Sequence, residues 1–180
     1  MSAGRRNSDN KKDWNTPPKY IKKIKEFFNE LYLDPCSNKF SGLNPKYEFS
    51  LPVDGLQQDW TPYETIFINP PYGRDDLRKT TIKDWIFKAD ETFKETNNEI
   101  LALIPVATNT SHFKDIIFKS STGLCFLSDT RLKFYYEGKE SKKGAPMSCC
   151  IVYWGNDYKK FENVFSEFGK CFNLVETKND

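Results

Sequence analysis

The stretch Thr65-Ile66-Phe67-Ile68-Asn69-Pro70-Pro71-Tyr72 decides how this sequence is interpreted. Its first four residues form an apolar run typical of a buried strand, and the last four form a turn that ends it. Two consecutive prolines fix two backbone φ angles and remove two N–H donors, so the Pro70 carbonyl points in a set direction. Asn69 adds a side-chain acceptor and Tyr72 a flat aromatic face, a combination able to hold a planar amine. A structural Pro-Pro turn explains the tetrapeptide alone equally well, so its surroundings have to decide.

Length and composition predict one domain with a substantial core. The chain has 180 residues, among them 15 Phe, 9 Tyr and 4 Trp. No apolar run approaches the roughly 20 residues that cross a bilayer, and the polar N-terminus lacks a signal-peptide core. The five cysteines form no CxxC pair, and the adjacent Cys149 and Cys150 cannot face the same side of a strand. We therefore expect free thiols in a reducing cytoplasm, no metal site and no membrane partner.

Strand and helix patterns alternate along the chain, which predicts an α/β sheet in a single domain over residues 13–180. Residues 1–12 are expected to form a disordered basic arm, and the irregular segment 37–63 a functional loop. The predicted strands are 31–33, 65–68, 99–104, 123–127, 132–136, 147–154 and 172–175, and the predicted helices begin near 18, 81, 110 and 157. The strands at 132–136 and 147–154 are expected to form a C-terminal β-hairpin joined by a long basic loop.

Two predicted strands end in polar elements, namely Asp34-Pro35-Cys36 and Asn69-Pro70-Pro71-Tyr72. Ligands in open α/β sheets bind beyond the carboxyl ends of strands. If these two strands are neighbours, both elements line one crevice, where one holds a cofactor and the other an acceptor. An Asp-Pro turn by itself is more often only a turn, so this interpretation depends on the pairing.

Basic residues are clustered, although the net charge is only +2. Clusters lie in residues 1–25, after the Asn-Pro-Pro-Tyr motif, and between 131 and 143. Any one cluster is more often ordinary solvated surface, but clusters that flank a candidate site favour a polyanionic partner. The candidate residues for contact with this polyanion are Arg74, Arg78, Lys79, Arg131, Lys133, Lys142 and Lys143.

Seven short pieces of the sequence carry a family resemblance. They are Trp14-x-Thr16-Pro17, Asp34-Pro35-Cys36, Asp54-Gly55-Leu56 with Trp60, Phe67-x-Asn69-Pro70-Pro71-Tyr72-Gly73, Ile104-Pro105, Arg131-Leu132-Lys133-Phe134 and Gly144-Ala145-Pro146. In this order, over most of residues 13–154, they resemble the phage-type DNA N6-adenine methyltransferases. The resemblance implies a Rossmann-like, S-adenosylmethionine-dependent methyltransferase sheet. The sheet is expected to be trimmed, because 37–63 is short for a strand–helix–strand unit and no glycine-rich loop follows Asp34.

The resemblance also implies roles for individual residues. S-adenosylmethionine is the implied cofactor, and duplex DNA with a flipped adenine is the implied partner. Asn69 and the Pro70 carbonyl would accept the N6 hydrogens while Tyr72 stacks on the ring, with Pro71 completing the catalytic motif. The implied cofactor-binding residues are Trp14, Thr16, Pro17, Asp34, Cys36, Asp54 and Asp59. Such an enzyme is expected in the cytoplasm of a bacterial host, encoded by a phage or prophage.

Other interpretations of the same residues stay open or fail. The motif also suits an adenine in RNA or a protein glutamine amide, and an inactive DNA-binding module of the same fold is a further alternative. Pro35-Cys36 is superficially similar to the nucleophile motif of cytosine-C5 methyltransferases, but no matching Glu-Asn-Val element is present. His112 is the single histidine, which excludes a multi-histidine metal site.

Overall fold

The computed structural model describes residues 14–75, 78–129, 132–136, 139–141, 145 and 147–175. The predicted basic arm at 1–12 lies outside the described residues, as do Arg131, Lys142 and Lys143 of the predicted DNA-binding set.

A mixed seven-stranded sheet forms the centre of the structure, with the strand order β10-β6-β9-β5-β4-β2-β3. Strands β3, β2, β4 and β5 run parallel, whereas β9 is antiparallel to both β5 and β6. A second, three-stranded sheet has the order β1-β7-β8. The strands are β1 (Trp14–Asn15), β2 (Leu33–Asp34), β3 (Tyr47–Glu48), β4 (Thr65–Ile68), β5 (Glu99–Pro105), β6 (Gly123–Leu127), β7 (Tyr135–Tyr136), β8 (Lys139–Glu140), β9 (Cys149–Trp154) and β10 (Gly169–Asn173).

Helices cover both faces of the large sheet, because its central strands are apolar on both sides. Phe67 of β4 faces a core that includes α1 and α4, while its neighbours Ile66 and Ile68 face a core with α2 and a π-helical segment. Among the described residues, no helix combines the length and apolar character of a membrane span. The helical segments are α1 (Pro18–Phe28), α2 (Ile82–Thr96), the π-helical segment His112–Ile117, α3 (Phe118–Ser120) and α4 (Tyr158–Phe165).

Local sequence explains where the helices next to the site begin and end. Pro18 occupies the first turn of α1, where a missing N–H costs nothing. A capping box between Thr81 and Asp84 starts α2, and Asn97 in the left-handed conformation ends it. The predicted helix near 110 is confirmed as a π-helical segment that continues directly into a short α-helical turn.

The predicted pairing of the C-terminal hairpin is wrong. Segment 147–154 does not pair with 132–136, since β9 lies between β5 and β6. All six residues of β9 are buried, and a strand that is apolar on both faces belongs in the middle of a sheet. A hairpin does occur in this half of the chain, but it joins β7 to β8, and β7 also pairs with β1.

The order of strands places a switch point between β2 and β4. From β2 the chain continues to β3 on one side, and from β4 it continues to β5 on the other. Such a point opens a crevice at the carboxyl ends of the two strands. Between Asp34 and Thr65 the structure has only the two-residue strand β3 and a short 3₁₀ turn at Gly55–Gln57. The expected trimmed Rossmann-like sheet is therefore confirmed.

Candidate active site

The two polar strand ends predicted from the sequence lie side by side. β2 and β4 are parallel neighbours with Leu33 opposite Ile66. Asp34 therefore ends β2 next to the strand that leads into Asn69. The carboxyl ends of both strands face the same crevice, as the sequence predicted on the condition that these strands pair.

The Asn69 side chain is tied to β1. Its Nδ2 donates to Thr16 Oγ1 at 3.2 Å and to the Trp14 carbonyl at 3.5 Å. β1 is also held from its other edge by antiparallel pairing with β7. These bonds fix which end of the Asn69 amide donates, so Oδ1 is the end that can accept from a substrate.

A small cleft lies between β1 and the two strand ends, with a cavity volume of about 10 Å³. It brings together five of the predicted site residues and four that were not predicted. The lining residues are Trp14, Asn15, Thr16, Asp34, Cys36, Asn38, Ser41, Leu43 and Asn69. Among these described lining residues Asp34 is the one acidic group and none is basic, so the cleft is polar and favours a cationic or zwitterionic guest.

Asp34 is buried in this cleft, with 3% of its surface exposed. Its Oδ1 accepts from the Cys36 backbone N–H at 3.1 Å. The pKa of the Asp34 carboxyl is raised to about 7, mainly by burial and also by the nearby Glu48 carboxylate, while hydrogen bonds from Cys36 and Ser37 oppose the shift. A cation that enters the cleft would stabilise the ionised form of this buried carboxyl.

Cys36 is not built as a nucleophile. Burial, followed by the charge of Asp34, raises the pKa of its thiol well above the usual value. The thiolate is the reactive form, and reactive cysteines have lowered pKa values. The superficial similarity to a Pro-Cys nucleophile is therefore not supported.

Tyr72 is anchored at the end of the motif. Its hydroxyl donates to the Leu103 carbonyl of β5 at 3.2 Å, and burial raises the pKa of the phenol well above its usual value. Its ring meets the edge of Phe134 with centroids 5.4 Å apart, and Phe134 in turn packs on Trp14 at 5.2 Å. Pro70 is buried and Pro71 half-buried beside it. The motif thus rests on the same aromatic cluster that supports β1.

The segment around Asp54 packs against the Asp34 turn but does not line the cleft. Asp54 Oδ1 accepts from the Leu56 N–H at 3.1 Å and from Arg78 Nη1 at 3.2 Å. A Cβ atom on Gly55 would lie 1.8 Å from the Pro35 carbonyl oxygen, so only glycine allows this approach.

Two other predicted cofactor residues are placed away from the cleft lining. Asp59 is exposed and accepts from the backbone N–H and hydroxyl of Thr61 at 2.9 and 2.8 Å. Pro17 is buried and immediately precedes α1, where its carbonyl accepts from the N–H groups of Tyr20 and Ile21. Pro17 therefore sets where the chain leaves β1.

The described basic residues differ in their availability to a polyanion. Arg78 donates to Asp75 Oδ2 through Nε at 2.9 Å and Nη2 at 2.6 Å, and also to Asp54, which commits its guanidinium. Lys133 is exposed and pairs with Glu140 at 3.0 Å. Arg74 and Lys79 are exposed on the segment that follows the motif.

Asn15 and Glu48 are among the residues that sequence reasoning missed at this edge of the sheet. Asn15 occupies the unspecified position of Trp14-x-Thr16-Pro17. The one sequence signal for its inward direction would have been the alternation of side chains along a strand. Glu48 ends β3 beside Asp34, and its Oε2 accepts from the Ser37 hydroxyl at 2.7 Å. A two-residue strand has no detectable periodicity, so the sequence carries no signal for Glu48.

Comparison with known proteins gives one family. A family model described as DNA N-6-adenine-methyltransferase (Dam) matches residues 4–176, which include every residue that lines the cleft. No curated protein matches the chain.

Proposed function

Because the chain belongs to the DNA N-6-adenine-methyltransferase (Dam) family, we propose that it transfers a methyl group from S-adenosylmethionine to the N6 amine of adenine in DNA. One observation carries this proposal beyond family membership. The Asn69-Pro70-Pro71-Tyr72 turn and the Asp34 turn meet at the switch point of the sheet, where an acceptor and a cofactor would be bound together.

The residues of the cleft fit the amino-acid end of such a cofactor. Asp34 supplies a buried carboxyl for an ammonium group, and the buried amide of Asn15 has no hydrogen-bond partner within the described structure. Glu48 lies one strand further along the same edge, where a carboxylate could accept from ribose hydroxyls. When bound, the cofactor supplies an electrophilic methyl group on a sulfonium centre. We do not extend the proposal to Asp54, which is paired with Arg78, or to Asp59, whose described bonds lie within its own turn.

On the acceptor side, the protein orients the adenine amine. Asn69 Nδ2 already donates to the Trp14 carbonyl and to Thr16 Oγ1, which leaves Oδ1 to accept one N6 hydrogen. The Pro70 carbonyl would accept the other, since the prolines on either side of that carbonyl restrict the backbone. Two acceptors that hold both hydrogens turn the nitrogen lone pair out of conjugation with the ring. Catalysis by this arrangement is mostly positioning and electrostatics.

The DNA side of the proposal places a flipped adenine against the Tyr72 ring. Flipping costs a few kcal/mol of lost stacking and base pairing. Stacking of the flipped base on an aromatic ring and contacts between basic side chains and DNA phosphates offset this cost. Arg74, Lys79 and Lys133 are exposed around this edge and are proposed to contact phosphates. Arg78 is better placed to hold the segment after the motif than to bind DNA, since Asp75 and Asp54 occupy its guanidinium.

Transfer of tritiated methyl groups from S-adenosylmethionine tests the proposal. Adenine-containing duplexes of varied sequence, RNA and a glutamine-bearing protein would be compared as acceptors. We expect label in N6-methyladenine of DNA, and a loss of at least about 100-fold in Asn69→Ala, because one positioned transition-state contact contributes on the order of 10²–10³ in rate. Asn156→Ala is the control, since Asn156 is exposed in the connection between β9 and α4. Full activity in Asn69→Ala would exclude the proposed mechanism, and label confined to RNA or protein would exclude DNA as the substrate.

A further inference from the structure

Asn15 carries a buried amide without a partner. Only 3% of its surface is exposed, and neither Oδ1 nor Nδ2 has a hydrogen-bond partner. Among the described residues, these two atoms are the buried side-chain nitrogen and oxygen atoms that lack a hydrogen-bond partner. Buried polar groups are nearly always hydrogen-bonded, because an unmade bond leaves the full desolvation penalty. An orphaned amide therefore points to a partner that binds from outside the chain.

The backbone around Asn15 is held in place. Strand pairing places Asn15 opposite Tyr135 of β7, and Asn69 bonds to the residues on both sides of it, Trp14 and Thr16. The amide cannot be satisfied by a shift of β1 without breaking these bonds. Asn15 lines the cleft, so the cleft is the side from which a partner can approach the amide.

The size and charge of the cleft select the class of partner. A volume of about 10 Å³ holds one water-sized group, such as an ammonium, and is too small for a purine ring; a carboxylate is larger and would have to widen the cleft as it enters. An isolated anion is disfavoured because Asp34 is the one charged group among the described lining residues. A carboxamide, in contrast, has a donor for a carboxylate and an acceptor for an ammonium group. An amino-acid zwitterion matches both the amide and the carboxyl.

We propose that Asn15 binds the amino-acid end of S-adenosylmethionine, donating from Nδ2 to the ligand carboxylate while Asp34 accepts from its ammonium group. This inference rests on the proposed function and names a binding residue for it. Asn15 is then a ligand contact whose amide is satisfied only in the complex. Its removal weakens binding without weakening the unliganded fold.

Two product-like ligands test this assignment by calorimetry. S-adenosylhomocysteine has the amino-acid end, and 5′-methylthioadenosine has the same thioadenosine part without it. For Asn15→Leu we expect S-adenosylhomocysteine to bind at least about tenfold more weakly and 5′-methylthioadenosine to bind within about twofold of the wild type, because only the first ligand reaches the amide. The melting temperature of the unliganded variant should stay equal or rise, since a buried unpaired amide is replaced by an apolar side chain of similar size.

Asn15→Ala provides a second variant that removes the amide without adding bulk. Equal weakening of both ligands, or no weakening of either, would overturn the inference, the latter because water would then satisfy the amide. A lower melting temperature in both unliganded variants would also overturn it, since the amide would then serve the fold. If the wild-type protein binds neither ligand, the proposed function itself fails. The two failures are therefore distinguishable.

Discussion

Two aspartate turns pack against each other in this protein and have opposite environments. The Asp34 turn has a buried carboxyl whose pKa is raised to about 7 mainly by burial, and no described basic residue lines the cleft beside it. The Asp54 turn has a carboxylate bonded to Arg78 and to the backbone of its own 3₁₀ turn. The family resemblance implied that both aspartates bind the cofactor. Asp34 has no neutralising partner among the described residues of the cleft, as the proposed cofactor contact requires, whereas the ion pair of Asp54 holds its loop against Arg78.

The contact between the two turns gives the largest expected effect. Gly55→Ala places a Cβ atom 1.8 Å from the Pro35 carbonyl oxygen and 2.8 Å from its carbon, both backbone atoms that cannot rotate away. We expect loss of cooperative folding or a drop of more than about 4 kcal/mol in the free energy of unfolding. Urea denaturation followed by circular dichroism measures it.

Gly73 is the matched control, because a Cβ atom there would meet nothing within 4 Å. Gly73→Ala should leave the free energy of unfolding within about 0.5 kcal/mol of the wild type. Equal stability of the two alanine variants would show that the turns are not packed as described.

Asp34→Asn tests the buried side of the comparison through pH. Because its pKa is raised from 3.8 to about 7, the folded protein holds a proton on Asp34 that the unfolded chain releases. The stability that Asp34 contributes is therefore present below pH 4 and lost as the pH rises toward 7. Relative to Asp34→Asn, the wild type should lose on the order of 3 kcal/mol of unfolding free energy between pH 4 and 8, at about 1.4 kcal/mol per pKa unit. Urea denaturation at several pH values checks this.

Asp59→Asn is the control for removal of a carboxylate, because Asp59 is exposed and its described hydrogen bonds, from Thr61, lie within its own turn. Its unfolding free energy should run parallel to that of the wild type between pH 6 and 8. If the Asp34→Asn profile also runs parallel to the wild type, Asp34 is not protonated in the folded protein and the contrast between the two turns collapses.

Strand ends were predictable from the sequence, and loop partners were not. Strong apolar runs located β4, β5 and β6, but the position of Asn69 beside Asp34 depended on the pairing of β2 with β4, which the sequence left as a condition. The roles of Asp54 and Arg78 depended on the packing of the segment after the motif against the loop that contains Asp54. Hydrophobic periodicity carries no information about such loop contacts. The hairpin partner of β7 was missed for the same reason, since the two-residue strand β8 has no pattern of its own.

Asn15 illustrates a different limit. Its position was bounded by the recognised residues Trp14 and Thr16, yet a polar residue in a short strand looks the same whether it faces water or a cleft. Only the coordinates show that its amide is buried and unpartnered. The Asn15 contact therefore required the geometry, whereas Asn69 and Asp34 could be proposed from the sequence because each follows an apolar strand and the ordered family pieces include both.

Asp54→Asn tests the ion-paired side of the comparison. Loss of the charge weakens the bond to Arg78, and the amide that replaces the carboxylate can still cap the 3₁₀ turn. We expect the free energy of unfolding to fall by about 1–2 kcal/mol, since the pair is only partly exposed. Binding of S-adenosylhomocysteine should stay within about twofold, while Asp34→Asn loses at least about tenfold because its buried charge partner is removed. Calorimetry of both variants decides the point, and the reverse ranking would make Asp54 the cofactor residue.

The contrast between committed and available groups extends to the basic residues, where the smallest effect is expected. Arg78 is enclosed by two carboxylates, but Lys133 has 56% of its side chain exposed and one exposed partner, Glu140. Lys133→Ala should change the free energy of unfolding by less than about 0.5 kcal/mol. If Lys133 contacts phosphate, the variant should reduce the slope of log affinity for duplex DNA against log salt by about 1. Glu140→Ala, which releases the lysine from its partner, should leave that slope unchanged or steepen it. An unchanged slope in Lys133→Ala would remove Lys133 from the DNA interface and leave Arg74 and Lys79 to carry it.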